Sequence, residues 1–143
     1  LLGEDRKDDY SLQLRELIAQ EGLEPSVFML GQVSNVADYI LQAKIAVLTS
    51  TVEGLPMALL EYAMARIPVV ITNVGQCKEV VDSYASVVPP EQPQSIAEGI
   101  LVYLNDEKKA KKDATALHER VNDHYGYKKV IDQLLNIYTD LSK

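Results

Sequence analysis

The chain has 143 residues, 47% of them hydrophobic, and its 14 lysine and arginine residues against 21 aspartate and glutamate residues give a formal net charge of −7. This length predicts one domain, and the acidic balance excludes binding of a nucleic-acid phosphate backbone as the main function. No stretch approaches the ~20 apolar residues of a membrane span, no signal peptide is visible, and the single cysteine, Cys77, excludes an internal disulfide. We expect a soluble, globular, cytoplasmic domain with no nucleic-acid partner.

The amino-terminal part of the chain alternates helical periodicity with short apolar runs. Leu1-Leu2-Gly3 resembles the end of a strand and no initiator methionine precedes it, so we expect a domain excised from a longer chain. The first predicted elements, in chain order, are a helix preceded by Asp8 and Asp9 and ended by Gly22, a buried strand at Val27–Leu30, and a helix capped by Asn35. They are followed by a strand at Ile45–Thr49, a helix with Pro56 at its first position that continues to about Arg66, and a strand at Val69–Thr72 after Pro68.

The remaining chain becomes helical after one more strand. The predicted elements are a short helix around Lys78–Asp82, a strand at Ser86–Val88 closed by Pro89 and Pro90, a helix from Ser95 to near Asn105, a charged helix from Glu107 to about Tyr125, and a helix from Tyr127 to Leu141. Near-continuously apolar strands separated by helices are typical of a parallel sheet covered on both faces. The predicted fold class is α/β, one doubly wound parallel sheet with a helical C-terminal extension.

One segment at the predicted carboxyl edge of the sheet has an unusual composition. In open α/β sheets ligands bind beyond the carboxyl ends of the strands, and Ser50–Glu61 follows a strand there and runs into a helix. Gly54 lets the backbone approach a ligand closely. The amides at the start of the helix after Pro56 are free to bind an anion, and the helix dipole favours phosphate at that place. The pattern predicts an anion site.

Two carboxylates lie on either side of this predicted anion site. Glu53 lies in the loop, and Glu61 lies about a turn and a half into the helix. A carboxylate accepts hydrogen bonds from two neighbouring hydroxyls, so each suits a vicinal diol. A sugar, a pyrophosphate and a ribose in sequence would fit, as in a nucleotide sugar. The alternative is that Glu53 is an ordinary loop residue and that Glu61 is a half-exposed helix residue paired with Arg66.

The segment Ser-Thr-Val-Glu-Gly-Leu-Pro-Met-Ala-Leu-Leu-Glu-Tyr-Ala-Met-Ala, which starts at Ser50, resembles the signature of the group 1 (family 4) retaining glycosyltransferases of the GT-B fold. Its flanks are similar too. Segments that resemble the family's neighbouring strands and loops are Phe28–Val33, Ile45–Ser50, Ile67–Thr72 and Val74–Glu79. The resemblance covers nearly the whole chain and implies the Rossmann-like, donor-binding C-terminal domain of such an enzyme.

The resemblance also implies roles for individual residues. Glu53 would be the catalytic-site residue that contacts hydroxyls of the donor sugar, and Glu61 would bind the ribose. The main chain of Gly54, Leu55, Pro56 and Met57 would lie along the sugar and diphosphate, and Gly75 would belong to the phosphate loop. The loop that holds the nucleotide base would be Gly31, Gln32, Val33 and Ser34. The donor is a nucleoside diphosphate sugar, and the resemblance implies no obligatory metal and no other cofactor.

The chain departs from the family pattern in several places. Ile67 and Ser86 stand where the family commonly has glycine, and Gln76 stands where it often has the second glycine of a pair beside Gly75. The arginine and lysine that neutralise the diphosphate, and the acceptor-binding N-terminal domain, would lie upstream of Leu1–Gly3. We therefore expect this chain alone to fold but not to transfer sugar to its glycan, lipid-linked or small-molecule acceptor.

Other chemistry-bearing residues favour structural roles. Cys77 has no histidine near it in sequence, which disfavours a nucleophile, and His118 and His124 lack a third ligand in metal spacing and are predicted to be solvated helix positions. Four lysines between residues 108 and 112 form a basic cluster. A solvated helix face is the main interpretation, and apposition to the inner face of a membrane is the alternative.

Two further function classes remain to be compared. A signalling receiver domain has a similar length and layout, but its phosphoacceptor Asp should end a central strand, and Thr49-Ser50 and Thr72-Asn73 stand there instead. A GT-B epimerase or phosphorylase, or a non-catalytic nucleotide-sugar-binding module, would differ in catalytic residues upstream. The prediction is the donor-binding domain of a retaining glycosyltransferase, with polysaccharide assembly as the setting.

Overall fold

The computed structural model describes residues 1–141, and its chain divides into two units, Leu1–Tyr39 and the chain from Ile40 onward. In the first unit, helix α1 spans Asp9–Gln20. The Asp8 carboxylate accepts a hydrogen bond from the Ser11 amide at 3.0 Å, which satisfies one of the free N–H groups of the first turn. The predicted helix after Asp8 is confirmed.

The predicted buried strand at Val27–Leu30 is wrong. The segment forms no ladder: the Leu30 amide donates to the Leu1 carbonyl at 2.9 Å, the Gly3 amide donates to the Gly31 carbonyl at 3.1 Å, and one parallel bridge joins Leu2 to Gly31. Phe28 is 60% exposed and Leu30 is 44% exposed. An apolar run becomes a strand only where a neighbour pairs with it along its length, and here the pairing ends after one bridge.

Helix α2, Val36–Gln42, starts directly after Asn35, whose side-chain amide donates to the Asp38 carboxylate. The division between the two units falls inside this helix. Ile40, on its second half, is buried in the core of the second unit.

The second unit contains a parallel sheet of three strands in the order β1-β2-β3. The strands are β1 Ala46–Leu48, β2 Val69–Thr72 and β3 Ser86–Val88. The pairing places Ala46 opposite Val69 and Val70 opposite Ser86. All residues of the central strand β2 are buried, whereas Val47 on the edge strand β1 is exposed. The predicted bounds of β2 and β3 are confirmed, whereas β1 is one residue shorter at each end than the predicted Ile45–Thr49.

Five helices follow or connect these strands in residues 40–141. They are α3 Met57–Met64, α4 Cys77–Val81, α5 Pro93–Asn105, α6 Glu107–Tyr125 and α7 Tyr127–Leu141. Both predicted bounds of α3 are wrong: the helix ends at Met64 rather than near Arg66, and Pro56 is its N-cap rather than its first helical residue, with an extended ψ of 105°. Helix α5 begins at Pro93, two residues before the predicted Ser95.

Both faces of the sheet are covered by helices. Alternate residues of a strand point to opposite faces, and Val69 and Ile71 belong to one core cluster with residues of α3, α4 and α6. Val70 belongs to a second cluster with Tyr103 of α5. Gly99 of α5 lies so close to the sheet that a Cβ there would be 2.6 Å from Ser86 Oγ. This is the doubly wound arrangement that the sequence predicts.

Side chains of helix α6 also contact main-chain carbonyls near the C-terminal ends of α3 and α4. His118 Nδ1 lies 3.2 Å from the Ala63 carbonyl at the end of α3. The Arg120 guanidinium donates to the Val80 and Glu79 carbonyls of α4 at 2.9 and 2.8 Å. The prediction of His118 as a solvated residue is therefore wrong, because it is half-buried against another helix; His124 is exposed as predicted.

Helix α7 forms the predicted C-terminal extension. None of its residues is buried, and apolar side chains recur along it at helical spacing. Within residues 1–141, no helix combines the length and the apolar character that crossing a membrane would require.

Candidate functional site

The loop Ser50–Pro56 and the loop Asn73–Gln76 leave the carboxyl ends of the neighbouring parallel strands β1 and β2. The first loop leads into α3 and the second leads into α4. The two loops therefore lie at one edge of the sheet, where open α/β folds bind their ligands.

Glu53 is held by hydroxyl groups at this edge. Its Oε1 accepts a hydrogen bond from Ser50 Oγ at 2.6 Å. The Ser50 carbonyl in turn accepts a hydrogen bond from Thr72 Oγ1 at 2.6 Å, and the same hydroxyl lies 3.4 Å from the Leu48 carbonyl. Thr72 is 1% exposed, so this bond is shielded from water. The end of β2 thereby positions the loop that carries the Glu53 carboxylate.

Gly75 brings the second loop against the first. Its φ of +50° lies in the left-handed region, and a Cβ there would be 2.1 Å from the Glu53 carbonyl oxygen. Only glycine fits this conformation at this distance. The next residue, Gln76, donates its backbone amide to the Gly54 carbonyl at 3.1 Å. This contact uses the main chain of Gln76, the residue that stands where the family often has its second glycine.

Glu61 is exposed on α3. Among residues 1–141 it forms no ion pair with Arg66, which lies beyond the end of the helix. The structure therefore contradicts the alternative in which Glu61 pairs with Arg66, and it leaves this carboxylate available to solvent or ligand.

The start of α3 has the features of an open anion site. Its N-cap, Pro56, supplies no side-chain hydrogen bond, and the first turn contains no acidic residue. By contrast, aspartates cap two other helices: Asp8 accepts from Ser11 in α1 and Asp106 accepts from Lys109 in α6. The Leu59 amide donates to the Pro56 carbonyl at 3.1 Å. The N–H groups before it, those of Met57 and Ala58, can bind an anion without displacing a capping side chain.

The predicted base-binding loop belongs to the first unit. Gly31 has a φ of +68° and is half-buried, as is Val33, whereas Gln32 and Ser34 are exposed. The structure thus groups Glu53, Gly54, Gly75 and the start of α3 at one sheet edge of the second unit, and it describes the Gly31–Ser34 loop separately.

Comparison with known proteins decides the family. Residues 2–120 match the family model described as Glycosyl transferases group 1. The chain belongs to this family. Over 116 residues this group 1 domain is 31% identical to the Bacillus subtilis (strain 168) protein named "Putative teichuronic acid biosynthesis glycosyltransferase TuaC", covering 79% of the chain and 30% of that protein.

Solved structures show the same fold. The Anabaena protein HepE, whose structure was solved in complex with UDP, matches 98% of the chain with a TM-score of 0.92 and 21% identity. Sucrose-phosphate synthase of Thermosynechococcus elongatus matches 99% with a TM-score of 0.87 and 23% identity. The group 1 domain thus has the Rossmann-like fold of the C-terminal half of a GT-B glycosyltransferase, and it spans 40% and 38% of these two chains.

The other candidate residues of the group 1 domain, Cys77 and the lysine cluster, have contacts typical of residues with a structural role. Cys77 is fully buried, and burial raises the pKa of its thiol, which keeps it protonated and unreactive. Among residues 1–141 no three His, Cys, Asp or Glu side chains converge as metal ligands.

In the lysine cluster, Lys109 pairs with Asp113 at 2.7 Å and Lys111 pairs with Glu107 at 2.6 Å. The Lys111 ammonium holds the pKa of the Glu107 carboxyl below its usual value.

Sequence reasoning missed Thr72 as a residue of the group 1 site and named Ser50 only as part of the motif. Their contact joins residues 22 positions apart, so no local pattern reveals it. The available signal was chemical: a hydroxyl residue ends each of two apolar strands that the fold class places side by side.

Proposed function

We propose that this chain is the donor-binding domain of a retaining, family 4 glycosyltransferase. The whole protein would transfer a sugar from a nucleoside diphosphate sugar to a glycan, lipid-linked or small-molecule acceptor. The observation that carries the proposal is the arrangement at the carboxyl edge of the sheet. There the Glu53 carboxylate, fixed by Ser50, precedes a helix start that has no capping side chain.

The proposed chemistry follows from these groups. The diphosphate would bind at the backbone N–H groups of Gly54, Leu55 and Met57, where the dipole of α3 stabilises the negative charge that grows as the sugar–phosphate bond breaks. Glu53 would hold hydroxyls of the donor sugar, so that the acceptor oxygen meets the anomeric carbon on the face that the leaving group vacates. Catalysis would rest on positioning and on stabilising the departing diphosphate, without a required metal.

The nucleoside would occupy two further places. Glu61 would accept hydrogen bonds from both ribose hydroxyls, and the loop Gly31–Ser34 would hold the base, largely through its main chain. Related structures support a uridine nucleotide as the first candidate, since HepE was solved with UDP and with UDP-glucose. The name of TuaC refers to teichuronic acid biosynthesis, which supports polysaccharide assembly as the setting.

The acceptor would bind outside this chain, which spans about a third of TuaC. We propose that the rest of the whole protein holds the acceptor and supplies the cations that neutralise the diphosphate. The isolated chain would then bind nucleotides only weakly and would not transfer sugar. A cytoplasmic location of the whole protein, at the inner face of a membrane for a lipid-linked acceptor, is part of the same proposal.

A second candidate function is a GT-B epimerase or phosphorylase, or a nucleotide-sugar-binding module without catalysis. Each of these proteins would share the donor site and would differ in the catalytic residues of the part of the protein that lies outside this chain. Turnover assays on the whole protein, with a nucleotide sugar alone and with added acceptors, separate these activities.

The proposed roles are tested with Glu53→Ala and Glu61→Ala in the whole protein. Loss of Glu61 removes a charged acceptor from the ribose, worth about 1.5–3 kcal/mol, so its dissociation constant for UDP, GDP or ADP should rise about 10- to 100-fold. Glu53→Ala should lower turnover while changing the dissociation constant for the nucleotide less than threefold, which corresponds to a change of less than about 0.7 kcal/mol in binding free energy.

Glu119→Ala is the matched control, because Glu119 is exposed on α6 and belongs to none of the segments assigned to the nucleotide sugar. It should leave both measurements unchanged. Equal losses of nucleotide affinity in the Glu53 and Glu61 variants would contradict the division of roles.

A further inference from the structure

A pocket lies at the edge of the sheet opposite the candidate site, where the strands begin. It has a volume of about 470 Å³ and is bounded by the residues that lead into β1 and β2, the end of α5 and the start of α6. Pockets that bind small molecules fall in this size range. Because the strands are parallel, this pocket lies at the end of the sheet away from Glu53 and the start of α3.

The pocket combines an apolar floor with a cationic rim. Its apolar lining includes Ile45, Pro68 and Tyr103, and its cations are Lys44, Arg66 and Lys111. Lys111 pairs with Glu107, which also lines the pocket. Lys44 and Arg66 form no ion pair within residues 1–141. A rim with a net positive charge thus stands in a chain whose formal charge is −7.

Arg66 occupies a backbone position that usually belongs to glycine. Its amide donates to Ala63 at 3.1 Å and the Ile67 amide donates to Tyr62 at 3.4 Å, which is the Schellman pattern at the end of a helix. The φ of Arg66 is +55°, in the left-handed region where glycine is least strained. An arginine here carries a backbone cost and brings a guanidinium to the pocket rim.

We propose that this pocket binds the phosphate group of an amphiphile, with the phosphate between Lys44 and Arg66 and the apolar part over Ile45, Pro68 and Tyr103. A guanidinium pairs with phosphate through two parallel hydrogen bonds, and an ammonium adds a second charge. The apolar floor selects a ligand whose phosphate is attached to a hydrophobic body rather than free phosphate. A lipid headgroup and a soluble phosphorylated compound share this chemistry.

The test is an amide NMR titration of the 143-residue chain with dihexanoyl phosphatidic acid below its micelle concentration. Shifts should cluster at residues 44–45, 66–67 and 103–111, and the dissociation constant should be at least tenfold lower than for inorganic phosphate. Dihexanoyl phosphatidylcholine, whose headgroup is neutral overall, should bind at least tenfold more weakly.

Arg66→Gly is the decisive variant, because it removes the guanidinium while supplying the residue that the backbone favours. Its melting temperature should equal or exceed that of the parent chain, and its affinity for dihexanoyl phosphatidic acid should fall at least tenfold. Lys112→Ala, an exposed lysine on the same α6 that does not line the pocket, should bind as the parent does. Undiminished binding by Arg66→Gly, or absent shifts in the parent, would overturn the proposal.

Cosedimentation with vesicles distinguishes the two sources of phosphate. Binding to phosphatidylglycerol vesicles that is lost in Arg66→Gly assigns the pocket to a lipid headgroup. Short-chain binding without cosedimentation assigns it to a soluble phosphorylated amphiphile. Equal binding of phosphatidylcholine and phosphatidylglycerol vesicles contradicts a pocket that selects a phosphate with a net negative charge.

Discussion

The carboxyl and amino ends of the same three strands are organised in different ways. At the carboxyl end, two loops are tied to each other by the Thr72–Ser50 bond, the Ser50–Glu53 bond and the close approach of Gly75. At the amino end, Lys44 and Arg66 are exposed side chains without ion-pair partners in residues 1–141.

This difference relates to what each end would do. A group that acts on a reacting bond must be held within a fraction of an ångström, which requires packing and hydrogen bonds around it. A group that captures a charged ligand can stay mobile until contact, since the attraction between opposite charges depends weakly on orientation and the guanidinium–phosphate hydrogen bonds form afterwards. The difference between the two ends therefore fits the two proposals, precise positioning at the carboxyl end and capture of an anion at the amino end.

The largest expected effect comes from Gly75→Ala at the carboxyl end. The new Cβ would collide with the Glu53 carbonyl at 2.1 Å and stand at a φ of +50°, so either the loop moves or the backbone is strained. We expect a loss of about 3 kcal/mol in the free energy of unfolding, measured by urea denaturation. Gly54→Ala is the control, because a Cβ at Gly54 meets nothing within 4 Å, and it should change stability by less than about 0.5 kcal/mol. Similar losses in both variants would contradict the tight contact between the loops.

A smaller effect is expected from Thr72→Val, which keeps the shape of the buried side chain and removes its hydroxyl. The Ser50 carbonyl then loses a donor that lies 2.6 Å away, at a cost of about 1–2 kcal/mol. Amide hydrogen exchange should accelerate in residues 50–53, because the loop that carries Glu53 is no longer held. Thr115→Val removes an exposed hydroxyl that donates to Lys111 within α6, and should cost less than about 0.5 kcal/mol. The idea of a positioned loop fails if residues 50–53 exchange equally in both variants.

Elements with a strong local signal were predictable from the sequence. The bounds of β2, α6 and α7 agree with prediction, because an apolar run after Pro68 and long helical periodicities leave few alternatives. The start of α3 was predicted one residue early, since a proline φ near −75° suits both the N-cap and the first helical position, and only ψ distinguishes them.

Features that depend on distant partners were not predictable. Val27–Leu30 has the composition of a strand, but pairing along its length, not composition, decides whether a ladder forms. His118 contacts a carbonyl 55 positions away, and Thr72 contacts Ser50 across two strands. The Ser50–Glu61 motif located the candidate site from local sequence, whereas the bonds that hold Glu53 in place come from tertiary structure.

The smallest expected effect is a pH dependence at the amino end, where Tyr103 forms part of the pocket floor. Its hydroxyl donates to Asp113 Oδ2 at 3.1 Å, and Lys109 pairs with the same oxygen. Burial, and next the Asp113 carboxylate, raise the pKa of Tyr103 well above its ordinary value of 10.0. Because the folded pKa is raised, the stabilisation is fully present below about pH 10 and is lost as the pH rises above it.

Tyr103→Phe should therefore lower the free energy of unfolding by about 1 kcal/mol at pH 8, since Lys109 still pairs with Asp113 in the variant. The deficit should shrink as the pH rises from about 10 to 11, because the parent chain alone then loses the contribution of the neutral phenol. Burial also raises the pKa of Tyr62, so the measured quantity is the difference between parent and variant in urea unfolding at each pH. Tyr10→Phe, which alters a side chain of 67% exposure, should give a difference that stays near zero throughout. A Tyr103→Phe deficit that stays constant up to pH 11 would show that the phenol–carboxylate bond does not control the alkaline stability of this end of the sheet.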